Sequence, residues 1–131
     1  MVSPEVRVIY VDIMSKEDLV KTYPQLKDKP VVKTDIVDDG EKLSKFKNNS
    51  LDFIIANHFI EHTVNPISAI ANFIRCLKKG GIIFLAIPDK RVTFDMHRPL
   101  TPVEHLIEVF EKGYDSHLYE HYLEVARKVE K

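Results

Sequence analysis

Four polar positions stand where short apolar runs stop: Asp12 after V-R-V-I-Y-V, Asp35 with Ile36 after V-V-K-T, Asn57 with His58 after L-D-F-I-I-A, and Asp89 after I-I-F-L-A-I-P. A carboxylate offers two oxygens to two adjacent donors, so an acid just beyond an early strand can accept both hydroxyls of a ribose. A second acid followed by an apolar residue can take an exocyclic amino group while the apolar side chain covers the ring. One Asp at a strand end more often caps a turn. Two at successive strand ends, followed by the Asn57 turn, shift the balance toward a ligand. The segment H-F-I-E-H, His58 to His62, also fits H-x-x-E-H, in which two histidines four apart can share a zinc ion. Here it lies between a buried apolar run and Asn65-Pro66, so no metal is expected. His117 and His121 form another such pair, on a polar helix face where they read as solvated.

These groups need a frame, and the stretch from Ser50 to Asp89 supplies it. Leu51 to Ala56 and Ile82 to Ile87 are almost continuously apolar, the pattern of strands covered on both faces of a parallel sheet. Between them Asn65 is an N-cap with Pro66 at the first helical position, and Ile67, Ile70, Ile74 and Leu77 form one helical stripe. Lys78 and Lys79 suit the last turn, with Gly80 as the left-handed stop. The unit is a right-handed βαβ crossover, which places Asn57 to His62 and Pro88 to Arg91 at the carboxyl ends of the strands, the edge where open α/β sheets bind ligands.

Upstream, Val6 to Val11 reads as a strand, Ser15 with Asp18 opens a helix that Pro24 closes, and Val31 and Val32 begin a strand ending near Asp35. A short helix over Glu41 to Phe46 with Leu43 and Phe46 as apolar contacts, then a turn at Asn48 to Ser50, leads into the central unit. The alternation predicts an α/β fold, a Rossmann-like parallel sheet of about four strands flanked by helices. Beyond Asp89, residues 90–100 read as a long loop over the carboxyl edge. Thr101, Pro102 and Glu104 start a helix with Val103, Leu106, Ile107 and Phe110 on one stripe, ended by Gly113. A last helix from about Ser116 carries Leu118, Tyr122, Val125 and Val129. The reading is one domain over residues 1–131, with an α/β core at 5–90 and a helical extension at 101–131.

The segments V-R-V-I-Y-V-D, V-V-K-T-D-I, S-L-D-F-I-I-A-N-H-F-I-E-H and L-K-K-G-G-I-I-F-L-A-I-P-D, in that order and spacing, resemble the second to fifth strands of a class I S-adenosylmethionine-dependent methyltransferase. The E-H pair and the L-K-x-G-G turn are the strongest marks. The resemblance implies that Asp12, with Ile13, holds the ribose of S-adenosylmethionine, Asp35 and Ile36 the adenine, and Asn57 and His58 the region of the methionine moiety. It places Arg91, His97 and His105 on the substrate side, and His58 or His97 would serve as base. The acceptor it implies is a small molecule or glycan. The family's first strand and glycine-rich loop would stand before residue 5, yet the glycines are Gly40, Gly80, Gly81 and Gly113, and none follows an N-terminal strand. Weak or absent cofactor binding is therefore expected, and the alternative function is a non-catalytic methyltransferase remnant serving as a binding or oligomerisation module.

Composition bounds the rest. Hydrophobic residues at 44% and charged residues at 30% describe an ordinary globular chain. A formal net charge of -1 gives no basis for a nucleic-acid partner. No apolar run approaches the roughly 20 residues of a membrane span, and no leader pattern opens the sequence, so no membrane partner and a cytoplasmic location are expected. Cys76 stands alone and reads as a buried or half-buried thiol. Removing a central strand leaves unpaired edges, so Val6 to Val11 must pair directly with Leu51 to Ala56 or a second chain must cover the gap. Those edges, with the stripe from Leu118 to Val129, predict a homodimer.

Overall fold

The computed structural model describes residues 5–94 and 96–113. Strand and helix alternate as β1 (Val11–Asp12), α1 (Lys16–Thr22), β2 (Ile36–Val37), β3 (Leu51–Asn57), α2 (Pro66–Cys76) and β4 (Leu77–Ala86), followed by α3 (Val103–Lys112). Single 3-10 turns cover Pro24–Leu26, Ile60–His62 and Lys90–Val92. Both strand pairings are parallel, so the fold is the expected α/β type. Residues 114–131, with the stripe from Leu118 to Val129 and the pair His117 and His121, lie outside the described residues.

The sheet itself is divided. β1 pairs with β2, β3 pairs with β4, and among the described residues no ladder joins the two pairs. Direct pairing of Val6 to Val11 with Leu51 to Ala56 is thereby corrected, and no third strand of the described chain lies between them. A shared core holds the halves together instead. Leu43, Phe73 and Cys76 are its buried centre, and Val11 of β1 packs on it beside Ile54 and Ala56 of β3 and Ile83 and Leu85 of β4. β1 is short because the Asp35 carboxylate accepts the Tyr10 N–H at 2.9 Å, in place of a strand partner. The third expected strand also moves: residues 31–34 are irregular, and pairing begins at Ile36.

Local sequence explains the helix starts. Ser15 Oγ accepts the Asp18 N–H at 3.1 Å and donates to Asp18 Oδ2 at 2.8 Å, closing the predicted cap of α1. Asn65 Oδ1 accepts the Ser68 N–H at 3.0 Å, with Pro66 next in the chain, as expected for α2. The face α2 buries is Ala69, Phe73 and Cys76 rather than the isoleucine stripe, and Ile74 is 62% exposed. Small side chains at 69 and 76 let the helix approach the sheet while Phe73 fills the space between. Leu77 is buried, but as the first residue of β4, and Lys78 and Lys79 belong to that strand rather than to the last helical turn. Gly80, at φ +82°, makes the irregularity before the regular ladder of Phe53 with Ile82.

Residues 41–46 form turns, not a helix. Leu43 adopts φ 46°, which no helix tolerates, and its side chain is buried. The carbonyls of this segment turn to Arg75: Nη2 donates to the oxygens of Lys42 and Leu43 at 3.0 Å each, and Nη1 to that of Phe46 at 3.0 Å. In α3 the N-cap is Pro102 with no side-chain bond, not Thr101, and Val109 is the buried residue. Val103, Ile107 and Phe110 of the predicted stripe are exposed. The Asn65 side-chain amide donates to the Val109 oxygen at 3.1 Å, docking α3 on the start of α2.

Candidate functional site

The turns that follow β1, β2 and β3 converge. Asp12 ends β1; one of its carboxylate oxygens, Oδ1, accepts the Met14 N–H at 2.9 Å. Its carbonyl accepts the Asp38 N–H at 3.0 Å, which brings the acids after β2 beside it. From there the chain runs D-D-G-E, and at Gly40 an added Cβ would lie 2.8 Å from the Phe59 ring. That close approach requires glycine and places the turn after β2 against the turn after β3. Glu41 completes the joint, since its carboxylate accepts the N–H groups of Val64 at 2.7 Å and Asn65 at 3.2 Å.

Asp35 is not at this edge. It lies just before β2, opposite Tyr10, because the strand begins at Ile36, where the sequence had suggested that it would end. The acids beside Asp12 are Asp38 and Asp39, which sequence reasoning missed. The run I-V-D-D-G-E held the signal: an apolar pair followed by acids and a glycine repeats the strand-end pattern found at Asp12. The carboxylate of Asp38 accepts the N–H groups of Asp39 at 2.9 Å and Lys45 at 2.8 Å. Asp39 accepts the Glu41 N–H at 2.9 Å and meets Lys42 Nζ at 3.0 Å. Burial raises the Asp39 pKa, but the Lys42 ammonium and the Glu41 N–H together outweigh it and hold the carboxyl below its ordinary range.

At the end of β3, Asn57 is exposed and His58 takes φ 49°, a left-handed turn closed by its N–H on the Ala86 oxygen at 2.9 Å. The turn throws the imidazole outward and sets Nδ1 3.3 Å from Glu61 Oε1, while His62 Nε2 lies 3.9 Å from the same oxygen. The three residues of H-F-I-E-H therefore make one carboxylate between two imidazoles in a 3-10 turn, not two ligands on a helix face. Among the described residues no group of three His, Cys, Asp or Glu could hold a metal ion.

Asp89 is engaged in its own turn. It accepts from the Arg91 N–H at 2.9 Å and from Arg91 Nε at 2.9 and 3.0 Å, and the guanidinium holds its carboxyl below the ordinary range. His97 is exposed in the following loop. A groove of about 480 Å³ lies at the other end of the β3–β4 ladder, lined by Ile74, Lys78, Lys79 and the two glycines that follow them. It offers no acid to a ribose, and Lys78 is paired with Asp52 at 2.8 Å. The carboxyl edge is thus the better placed for a nucleotide-like ligand.

A family model for the methyltransferase domain matches residues 3–85, which span every one of these turns except Asp89. The chain belongs to the methyltransferase domain family. No curated protein and no solved structure matches the chain. Within the methyltransferase domain, the match covers the strand ends that carry Asp12, Asp38, Asn57 and His58, and it leaves α3 outside. No helix among the described residues is long and apolar enough to cross a membrane.

Proposed function

We propose that this methyltransferase domain takes S-adenosylmethionine at the carboxyl ends of β1, β2 and β3, and that its acceptor is a small molecule or glycan. The observation that carries the reading is the carboxylate of Asp12: one oxygen is fixed by the Met14 N–H, and the other is left to accept from a ribose hydroxyl. Ile13 beside it is 71% exposed and suits the apolar cover of the nucleoside. Asp35 and Ile36, proposed for the adenine, lie at the start of β2, so Asp38 and Asp39 are the better placed acids. Asn57 and His58 border the remaining part of the ligand. When bound, the cofactor supplies an electrophilic methyl group on a sulfonium. His58, oriented through Nδ1 by Glu61, is placed to remove a proton from the acceptor, and His97 stands on the substrate side.

The affinity expected of the described residues alone is low. Among the described residues no glycine-rich turn borders Asp12, Asn57 and His58 to give N–H donors to the carboxylate of the methionine portion. Charge-assisted bonds contribute roughly 1.5 to 3 kcal/mol each, so the loss of two weakens binding by about 3 to 6 kcal/mol. That moves a micromolar site to roughly the millimolar range or weaker. Calorimetric titration with S-adenosylhomocysteine is the test: near-millimolar binding that Asp12→Ala weakens further supports the reading, as does micromolar binding abolished by the same change. No binding at any accessible concentration supports the second reading, a remnant that has lost catalysis. One observation favours that reading, since the carboxylates of Asp35, Asp38 and Asp39 are already engaged by backbone N–H groups.

A further inference from the structure

The two faces of the β3–β4 ladder differ in what covers them. Ile54 with Ile83 and Ala56 with Leu85 point to the core. Phe53 with Ile82 and Ile55 with Phe84 are the adjacent pairs on the other face, because side chains alternate along a strand. On that outer face Ile55 is 60%, Ile82 66% and Phe84 57% exposed. These three leave on the order of 300 Å² of apolar surface uncovered by the described residues, a size at which surface patches are commonly binding sites. An antiparallel sheet with one wet face would place polar residues there; this face has none at those three positions.

We infer that the outer face of β3 and β4 is the docking surface for a second copy of this chain, with Phe53, Ile55, Ile82 and Phe84 of each copy packed sheet on sheet. Two properties select a second copy. A two-fold axis lays a patch on itself, which sets like charges opposite one another wherever the patch is charged, and these four side chains carry no charge. At one end of the ladder the nearest ions, Asp52 and Lys78, neutralise each other at 2.8 and 2.9 Å. The area also fits. A stable interface needs about 800 Å² per partner, so the apolar face supplies the centre and the polar ends of the strands supply the rim. Paired sheets lie about 10 Å apart with side chains interdigitating, which turns the two-stranded ribbon of each copy into one layer of a sandwich.

Sedimentation of the full chain across a dilution series tests this. The expected result is a dimer that dissociates on dilution. Phe84→Glu should give a monomer with an unchanged far-ultraviolet spectrum, and Phe84→Thr, which keeps strand propensity if the glutamate variant fails to fold, should raise the dissociation constant about tenfold or more. Phe110→Glu on the exposed side of α3 should leave the dimer intact. A chain that is monomeric at every concentration overturns the inference, because the face is then covered otherwise. A dimer that survives Phe84→Glu or Phe84→Thr, or that Phe110→Glu dissociates while the Phe84 variants do not, places the interface elsewhere and also overturns it.

Discussion

β1 and β2 pair only over Val11–Asp12 and Ile36–Val37, and neither strand contains a buried residue. β3 and β4 share a ladder from Phe53 with Ile82 to Asn57 with Ala86, roofed on one side by α2 and its fully buried face. The first pair is held by polar turns, through Asp35 on Tyr10 and Asp38 on Lys45, while the second is held by packing. The difference separates two tasks. Packing around Phe73 and Cys76 supplies the stability, and the acids that could meet a ligand sit on the thin half, which borrows its place from the thick one through Gly40, Glu41 and Arg75.

The largest expected effect is on the thick half. Phe73 is 2% exposed and stacks near Phe59 with ring centres 6.0 Å apart, so Phe73→Ala should cost about 3 to 5 kcal/mol in denaturant unfolding. An effect confined to β1 and β2 would break the comparison. Next comes the tie between the halves: Arg75→Ala removes the donors of the Lys42, Leu43 and Phe46 carbonyls and should cost about 2 to 3 kcal/mol. Arg75→Lys should recover less than half of this, because an ammonium cannot fork to several acceptors in one plane. Asp35→Ala should cost only about 1 kcal/mol, but hydrogen exchange should quicken at Val11 and Ile36 and stay unchanged in α2. Uniform quickening would mean that the halves unfold as one.

The smallest expected effect is the pH dependence from Asp39. Its carboxyl is held below the ordinary 3.8, so the stabilisation is present above that value and is lost as pH falls through the lower folded pKa. Lys42→Met should flatten this part of an acid titration followed by circular dichroism. Retention of the full acid slope would show that the Asp39–Lys42 contact contributes nothing there.

Much of this was legible because it depends on near neighbours in sequence. Ser15 with Asp18 and Asn65 with Pro66 specify their helix starts locally, and both caps form. The α/β class followed from the apolar runs and the helices between them. Most of the failures involve distant groups. Residues 41–46 have helical composition, but their carbonyls go to a guanidinium some thirty residues on, and no local pattern encodes that. Ile74 looked like core because it is apolar at the right spacing, whereas Ala69 and Cys76 were chosen by how closely a helix must approach a sheet. The position of Asp35 shifted because a strand two residues long gives no alternation to fix its start.

The junction of α2 and β4 has a consequence for how the second half-sheet is encoded. The helix ends at Cys76, the strand begins at Leu77, and the Leu77 N–H still bonds the carbonyls of Phe73 and Ile74, so no linker separates them. The strand segment I-I-F-L-A is apolar on both faces, and a slip by one residue would exchange Ile83 and Leu85 for Ile82 and Phe84 without placing any polar group in the core. Hydrophobic alternation therefore does not distinguish the correct alignment from its neighbour. The distinction is made upstream, by a helix whose last turn is rigidly continuous with the strand and by the left-handed bend at Gly80, which together act as the ruler from which β4 is measured.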